Sequence, residues 1–126
     1  MPTIDPTANG YRLPIEKEWE FTARGGVKTN GYEYSGSDDI DAVAWYDTNI
    51  GPRDVATKQP NELGLSDMSG NVWEWCFDAS GSDRVGRGGS WDGSVAGDWR
   101  VADRSFRNPS DSGTYIGFRI ARSYVP

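Results

Sequence analysis

Only one stretch of this sequence, Leu13 to Gly26, has the spacing of an amphipathic helix, which restricts the chain to folds built mainly from sheet and loop. Ile15, Trp19 and Ala23 recur four apart, and Glu16, Glu18 and Glu20 complement the positive end of a helix dipole. Arg24 falls in the last turn, and Gly25 can take the left-handed conformation that stops a helix. Ile15 stands where a hydroxyl would cap the N-terminus, an omission that costs about 1 kcal/mol. From Val27 to Gln59 the chain is dense in Gly, Asp, Asn and Ser, which reads as loops with short strands or turns.

Three later segments read as strands. Val72 to Phe77 alternates, with Val72, Glu74 and Cys76 on one face and Trp73, Trp75 and Phe77 on the other. Arg84 to Trp91 runs into a glycine turn, and Gly117 to Arg122 places Phe118 and Ile120 on one face. The expected fold is therefore α+β: small, loop-rich, a mainly antiparallel sheet with one main helix. Ile15, Trp19 and Ala23 are expected to pack against strands carrying Trp73 to Phe77 and Phe118 to Ile120. Trp19, Trp73 and Trp75 read as core. Residues 1–10, polar and with two prolines, read as a loose arm before a domain over 11–126.

Composition narrows the function. The chain has 126 residues, enough for one domain with its own core, and aromatic residues make up 13% of it, which argues against disorder. The net charge of −6 and the lack of a basic stripe disfavour nucleic acid and anionic membranes as partners. No apolar run approaches a membrane span, and the start Met1 to Pro6 lacks the pattern of a signal peptide. There is no histidine, so imidazole acid–base chemistry, Ser–His or Cys–His nucleophiles and His-ligated metals are excluded. Cys76 is the single cysteine, so no internal disulfide forms; its expected role is that of a small core residue. Arg87, Arg100, Arg104 and Arg119, near glycine turns, are expected to bond loop carbonyls and acidic side chains.

Three ordered motifs carry a resemblance. Tyr11-Arg12-Leu13-Pro14 with Glu18-Trp19-Glu20 and Ala23-Arg24-Gly25-Gly26 is the first. Pro60-Asn61-Glu62-Leu63-Gly64-Leu65 through Gly70-Asn71-Val72-Trp73-Glu74-Trp75 is the second. Arg87-Gly88-Gly89-Ser90-Trp91, then Arg100-Val101-Ala102 and Gly117-Phe118-Arg119, is the third. Together they resemble formylglycine-generating-enzyme-like (sulfatase-modifying factor) domains, whose fold is of the C-type-lectin type. The resemblance spans Tyr11 to Arg122 and leaves out the usual N-terminal portion of that domain.

The family's enzymes oxidise a sulfatase cysteine with a cysteine pair in the stretch after Trp91. Here that stretch, Asp92 to Trp99, holds no thiol, and copper–thiolate chemistry has no substitute ligand of that softness. The related sulfoxide synthases need histidines, which are absent, so the expectation is a chain that is not an enzyme. A non-catalytic branch, the variable proteins of diversity-generating retroelements, uses the region between the last two motifs to bind ligands. The resemblance to that branch implies a protein ligand on Asp92, Gly93, Ser94, Asp98, Trp99, Asp103, Ser105, Phe106, Arg107, Asp111, Thr114 and Tyr115. Asp92 to Tyr115 is rich in the small polar and aromatic residues that adenine mutagenesis yields, and Trp99, Phe106 and Tyr115 are its expected anchors. An undiversified scaffold domain and a degenerate enzyme are the alternatives.

The family enzymes also bind calcium where this chain has Asp67, Gly70, Val72 and Glu74, which implies Ca²⁺ as the one candidate cofactor. The competing reading is that Asp67 caps a turn and Glu74 pairs with an arginine. Gln59-Pro60-Asn61 is similar to the triplet of calcium-dependent sugar-binding lectins, but Trp91-Asp92-Gly93 breaks the downstream ligand set. The expected state is a monomer, exposed on a cell or virion if a leader has been removed and cytoplasmic otherwise.

Overall fold

A computed structural model describes residues 3–47, 49–93 and 99–124. The predicted helix is present as α1, Glu16–Ala23. Ile15 provides no side-chain cap, yet the Glu18 carboxylate reaches back to accept its N–H at 3.0 Å. That contact is half of the reciprocal box a Ser or Thr would complete. Arg12 holds the same carboxylate at 2.7 and 2.8 Å, which draws the Glu18 pKa below the usual range. At the other end, the orphan carbonyls of Thr22 and Ala23 are met by the Asn61 amide at 2.8 Å and the Ser35 hydroxyl at 2.7 Å. The Asn61 carbonyl oxygen then accepts the N–H groups of Leu63 and Leu65, folding the Pro60–Leu65 turn onto the helix end.

Among the described residues, six short strands form two sheets. β2 (Trp73–Ser80) and β3 (Asp83–Arg87) make an antiparallel hairpin, with a bulge between Trp75 and Ala79. β4 (Arg104–Arg107) adds antiparallel to β3, and β5 (Ile116–Gly117) lies parallel to β2, giving the order β4-β3-β2-β5. β1 (Tyr11–Arg12) and β6 (Ala121–Arg122) form a separate antiparallel pair. A 3₁₀ turn, Gly26–Lys28, follows α1, and the loop-rich middle holds a short helix, α2 (Ile40–Val43), capped by the Asp39 carboxylate on the Asp41 N–H.

Helix α1 covers the face of the four-stranded sheet that bears Glu74, Cys76, Val85 and Arg87. Trp19, Ala23, Met68, Cys76, Val85 and Val101 form the core there, with Leu65 packed against it. Gly88 and Gly70 are required by close approach. A β-carbon on Gly88 would meet the Trp19 ring at 3.2 Å, and one on Gly70 would lie 2.5 Å from the Trp45 carbonyl oxygen. Both also have φ in the left-handed region, which strains any other residue.

The four arginines behave as expected from sequence. Arg87, 2% exposed, donates to Glu16 at 2.6 Å, Glu20 at 2.7 Å and the Val101 carbonyl at 2.6 Å. Arg104 shares Glu16, Arg100 pairs with Glu33, and Arg119 pairs with Glu74.

Cys76 is fully buried, and burial pushes its thiol up to about 12. Since the thiolate is the reactive form, a maleimide at about pH 8 is expected to leave the folded chain unlabelled and to label it fully in denaturant. Fast labelling without denaturant would contradict the buried position.

Two expectations need correction. The final segment is not one strand packing Phe118 and Ile120 inward; it divides into β5 and β6, and those side chains are 67% and 57% exposed. Arg119 between them turns inward instead, because the buried Glu74 carboxylate requires a counter-charge. Trp75 is only half-buried, unlike Trp19 and Trp73.

Candidate functional site

Alternation along β2 sends Trp73, Trp75 and Phe77 to the face of the sheet turned away from α1. Register places Gly86 opposite Trp75, Ser105 opposite Gly86, and Arg107 opposite Arg84 on that same face. With no side chain at Gly86, the Trp73 ring lies across the strand, 3.8 Å from where a β-carbon would stand. Arg107 then lies over two rings, its guanidinium carbon 5.3 Å from the Trp73 centroid and 5.2 Å from that of Tyr115. The Tyr115 carbonyl accepts the Trp73 N–H at 2.8 Å, which fixes the Tyr115 backbone to the sheet. The Trp91 indole donates to the Thr114 carbonyl at 3.0 Å, tying the loop carrying Asp92 and Gly93 to the same edge. Ser90 donates its hydroxyl to the Asp92 carboxylate.

Ser105, Arg107, Thr114 and Tyr115 are thus brought together, with Asp92 and Gly93 joined through Trp91. Asp111 is exposed in a turn held by Asn108, and the half-buried Asp103 accepts the Arg100 N–H. Ser94 and Asp98 lie outside the described residues.

Trp99 is corrected from anchor to core. It is 5% exposed, its indole N–H donates to the Ser90 carbonyl at 2.8 Å, and its ring meets Tyr46 edge-on at 5.0 Å. Its own carbonyl accepts the buried Ser69 hydroxyl at 2.8 Å. Phe106 is 47% exposed, but alternation along β4 turns it away from Arg107, with Arg104 over its ring at 4.9 Å. Of the three expected anchors, only Tyr115 lies on the face with Arg107. Trp75, Trp91 and Arg84 belong to that face and were not singled out for it. The signal was available: one helix can cover only one face of the Trp73–Phe77 strand.

Of the residues implied for calcium, Glu74 is already engaged by a cation of the chain itself. Both Glu74 oxygens are taken by Arg119 at 2.7 Å, and one also accepts the Trp19 indole N–H at 2.7 Å. Burial by itself pushes the Arg119 pKa down; its hydrogen bonds to the Glu74 carboxylate and the charges of Glu74 and Asp67 outweigh it and raise it. A guanidinium already supplies the positive charge between the two carboxylates. Asp67 offers one buried oxygen without a partner, while its other accepts the Ala56 N–H at 2.7 Å. Among the described residues no three carboxylate or thiol side chains converge. Neither EDTA nor millimolar calcium is therefore expected to move the Tm. Saturation at a hundred times Kd would add about 2.7 kcal/mol, so a calcium-induced rise of several degrees would restore the ion.

Comparison with known proteins places these features in a family. Residues 6–124 match the model of the sulfatase-modifying factor enzyme 1-like domain. Chaperone protein LppX of Paenibacillus barcinonensis is 37% identical, over 96% of this chain and 52% of its own length. The formylglycine-generating enzyme of Streptomyces coelicolor is 33% identical over 89% and 46%, and the inactive C-alpha-formylglycine-generating enzyme 2 of Mus musculus 35% over 90% and 44%. The solved structure of Treponema denticola variable protein 1 superposes with a TM-score of 0.84 at 37% identity, over 94% of this chain and 50% of that one. The chain spans about half the length of the relatives it matches. Its relatives include an inactive member and a variable protein, and its fold is the C-type-lectin type those neighbours share. The chain belongs to the sulfatase-modifying factor enzyme 1-like domain family.

Proposed function

We propose that this chain is a non-catalytic ligand-binding domain whose binding surface is drawn from residues 92–115, in the manner of a retroelement-diversified variable protein. The carrying observation is how that region is mounted. Among the described residues β4 is an edge strand paired with β3, and Ser105 and Arg107, with Tyr115 against Arg107, stand on the face α1 does not cover. Side chains there can change without disturbing the core formed by Trp19, Cys76 and Val85 on the opposite face. The likeness to a variable protein across nearly the whole chain supports the reading, as does the identity with an inactive member of the family. Cys76 is the sole thiol and is buried, so the family's cysteine-pair chemistry has no residues to run on.

Sequencing the locus tests this directly. The expected finding is a near-copy of codons 92–115 differing at adenines, beside a reverse-transcriptase gene. Incubation with copper, oxygen and a sulfatase-motif peptide is expected to leave the peptide cysteine intact. An unduplicated locus leaves a scaffold domain, and conversion above a no-protein control returns the chain to the enzymes.

A further inference from the structure

Most arginines in this protein are neutralised by carboxylates: Arg12, Arg24, Arg87, Arg100, Arg104 and Arg119 each form an ion pair. Arg84 and Arg107, unlike the exposed Arg53 and Arg122, are half-buried in the sheet, and none of these four pairs with a carboxylate among the described residues, although the chain carries a net charge of −6. Arg84 and Arg107 stand directly opposite each other across β3 and β4. Like charges in that register repel and destabilise a sheet. Arg107 lies over Trp73 and Tyr115, and its buried Nε–H has no acceptor. Arg84 spends one nitrogen on the Phe77 carbonyl at 2.5 Å and rests over the Phe77 ring at 5.7 Å. Beside it Leu13, Trp75, Phe77 and Pro109 line a hollow of about 310 Å³.

We infer that Arg107, with Arg84 across the strand, receives a carboxylate side chain of a partner polypeptide, and that an apolar side chain next to that carboxylate enters the Trp75–Phe77 hollow. A planar guanidinium fork, pre-oriented by two rings, suits a carboxylate held by two parallel hydrogen bonds. The adjoining apolar hollow favours an acidic segment of a protein over a bare small anion. This rests on the reading of residues 92–115 as a binding surface and adds the chemistry that the surface selects.

The test is selection of a random dodecapeptide phage library on the full chain, followed by affinity measurement with the selected peptides. Enriched peptides are expected to place Asp or Glu beside a large apolar residue. Exchanging that acid for its amide is expected to weaken binding about tenfold, as is Arg107→Gln. The two changes together should cost no more than either alone, because both break one contact. Affinity for the acidic form is expected to fall with added salt more steeply than affinity for the amide.

Peptides that depend on Tyr115 and Thr114 but bind equally as acid or amide would overturn the carboxylate inference and leave the binding surface standing. Peptides indifferent to Tyr115→Ala and Thr114→Arg would remove the surface reading itself. Dissociation of a dimer by Arg107→Gln, seen in sedimentation, would assign the face to a second copy and overturn the proposal. Melting curves check that each variant is folded, and Arg107→Lys, which keeps the charge and loses the fork, is expected to weaken acidic peptides without restoring discrimination.

Discussion

Replacing Arg87 with alanine is expected to destabilise the fold by about 3 kcal/mol, because it removes the buried guanidinium that joins Glu16 and Glu20 and leaves those half-buried carboxylates only the more exposed Arg104 and Arg24. Arg87 is 2% exposed and joins α1, through Glu16 and Glu20, to the Val101 carbonyl and the Trp19 ring, 5.3 Å from its guanidinium. One side chain thereby ties the helix, β3 and the loop before β4 together. Domains of this size are stable by about 5–15 kcal/mol, so the loss removes a large share of the total. Arg87→Lys keeps the charge but cannot reach two carboxylates and a carbonyl at once, and an intermediate loss is expected. Urea unfolding measures both; a loss under about 1 kcal/mol for alanine would mean that the pair is not stabilising the helix against the sheet.

Trp99→Ala is expected to cost about 3–5 kcal/mol, the range for emptying a buried ring site. It also strips the Ser90 carbonyl of its donor and Tyr46 of its edge-on partner. Phe106→Ala, one strand away, is expected to stay within about 0.5 kcal/mol, as exposed positions do. The contrast between two aromatics seven residues apart is the measurement. Similar thermal melts for the two variants would show that Trp99 is not the core element described.

What the sequence disclosed, and what it hid, follows from where the determining contact lies. Helix α1 was legible because Ile15, Trp19 and Ala23 signal locally, and the alternation in Trp73 to Phe77 did the same for β2. Phe118 and Ile120 misled because their alternation is that of a buried face. The decisive partner, Glu74, lies 45 residues earlier and pulls Arg119 inward instead. Trp99 sits among small polar residues that read as a solvated loop, and nothing nearby in sequence shows its indole reaching Ser90. The pairing of Arg87, Arg100, Arg104 and Arg119 with acidic side chains was anticipated in kind, but partners 45 to 88 residues apart were not. Arg84 and Arg107 were hidden differently: they lack a carboxylate partner while sharing one face and register of the sheet, and that pairing becomes visible only in the fold.

The small sheet of β1 and β6 joins Tyr11 to Arg122, residues separated by nearly the whole chain. Closing so long a loop is entropically slow, and contacts of that separation form late in folding. During synthesis, Tyr11 and Arg12 leave the ribosome early and must wait for Ala121 and Arg122 before their backbone can pair. Until then the first motif, including the Arg12–Glu18 contact that steadies the start of α1, is held from one side only. The order of translation thus leaves the helix that anchors the core to be clasped late, by the strand that follows residues 92–115.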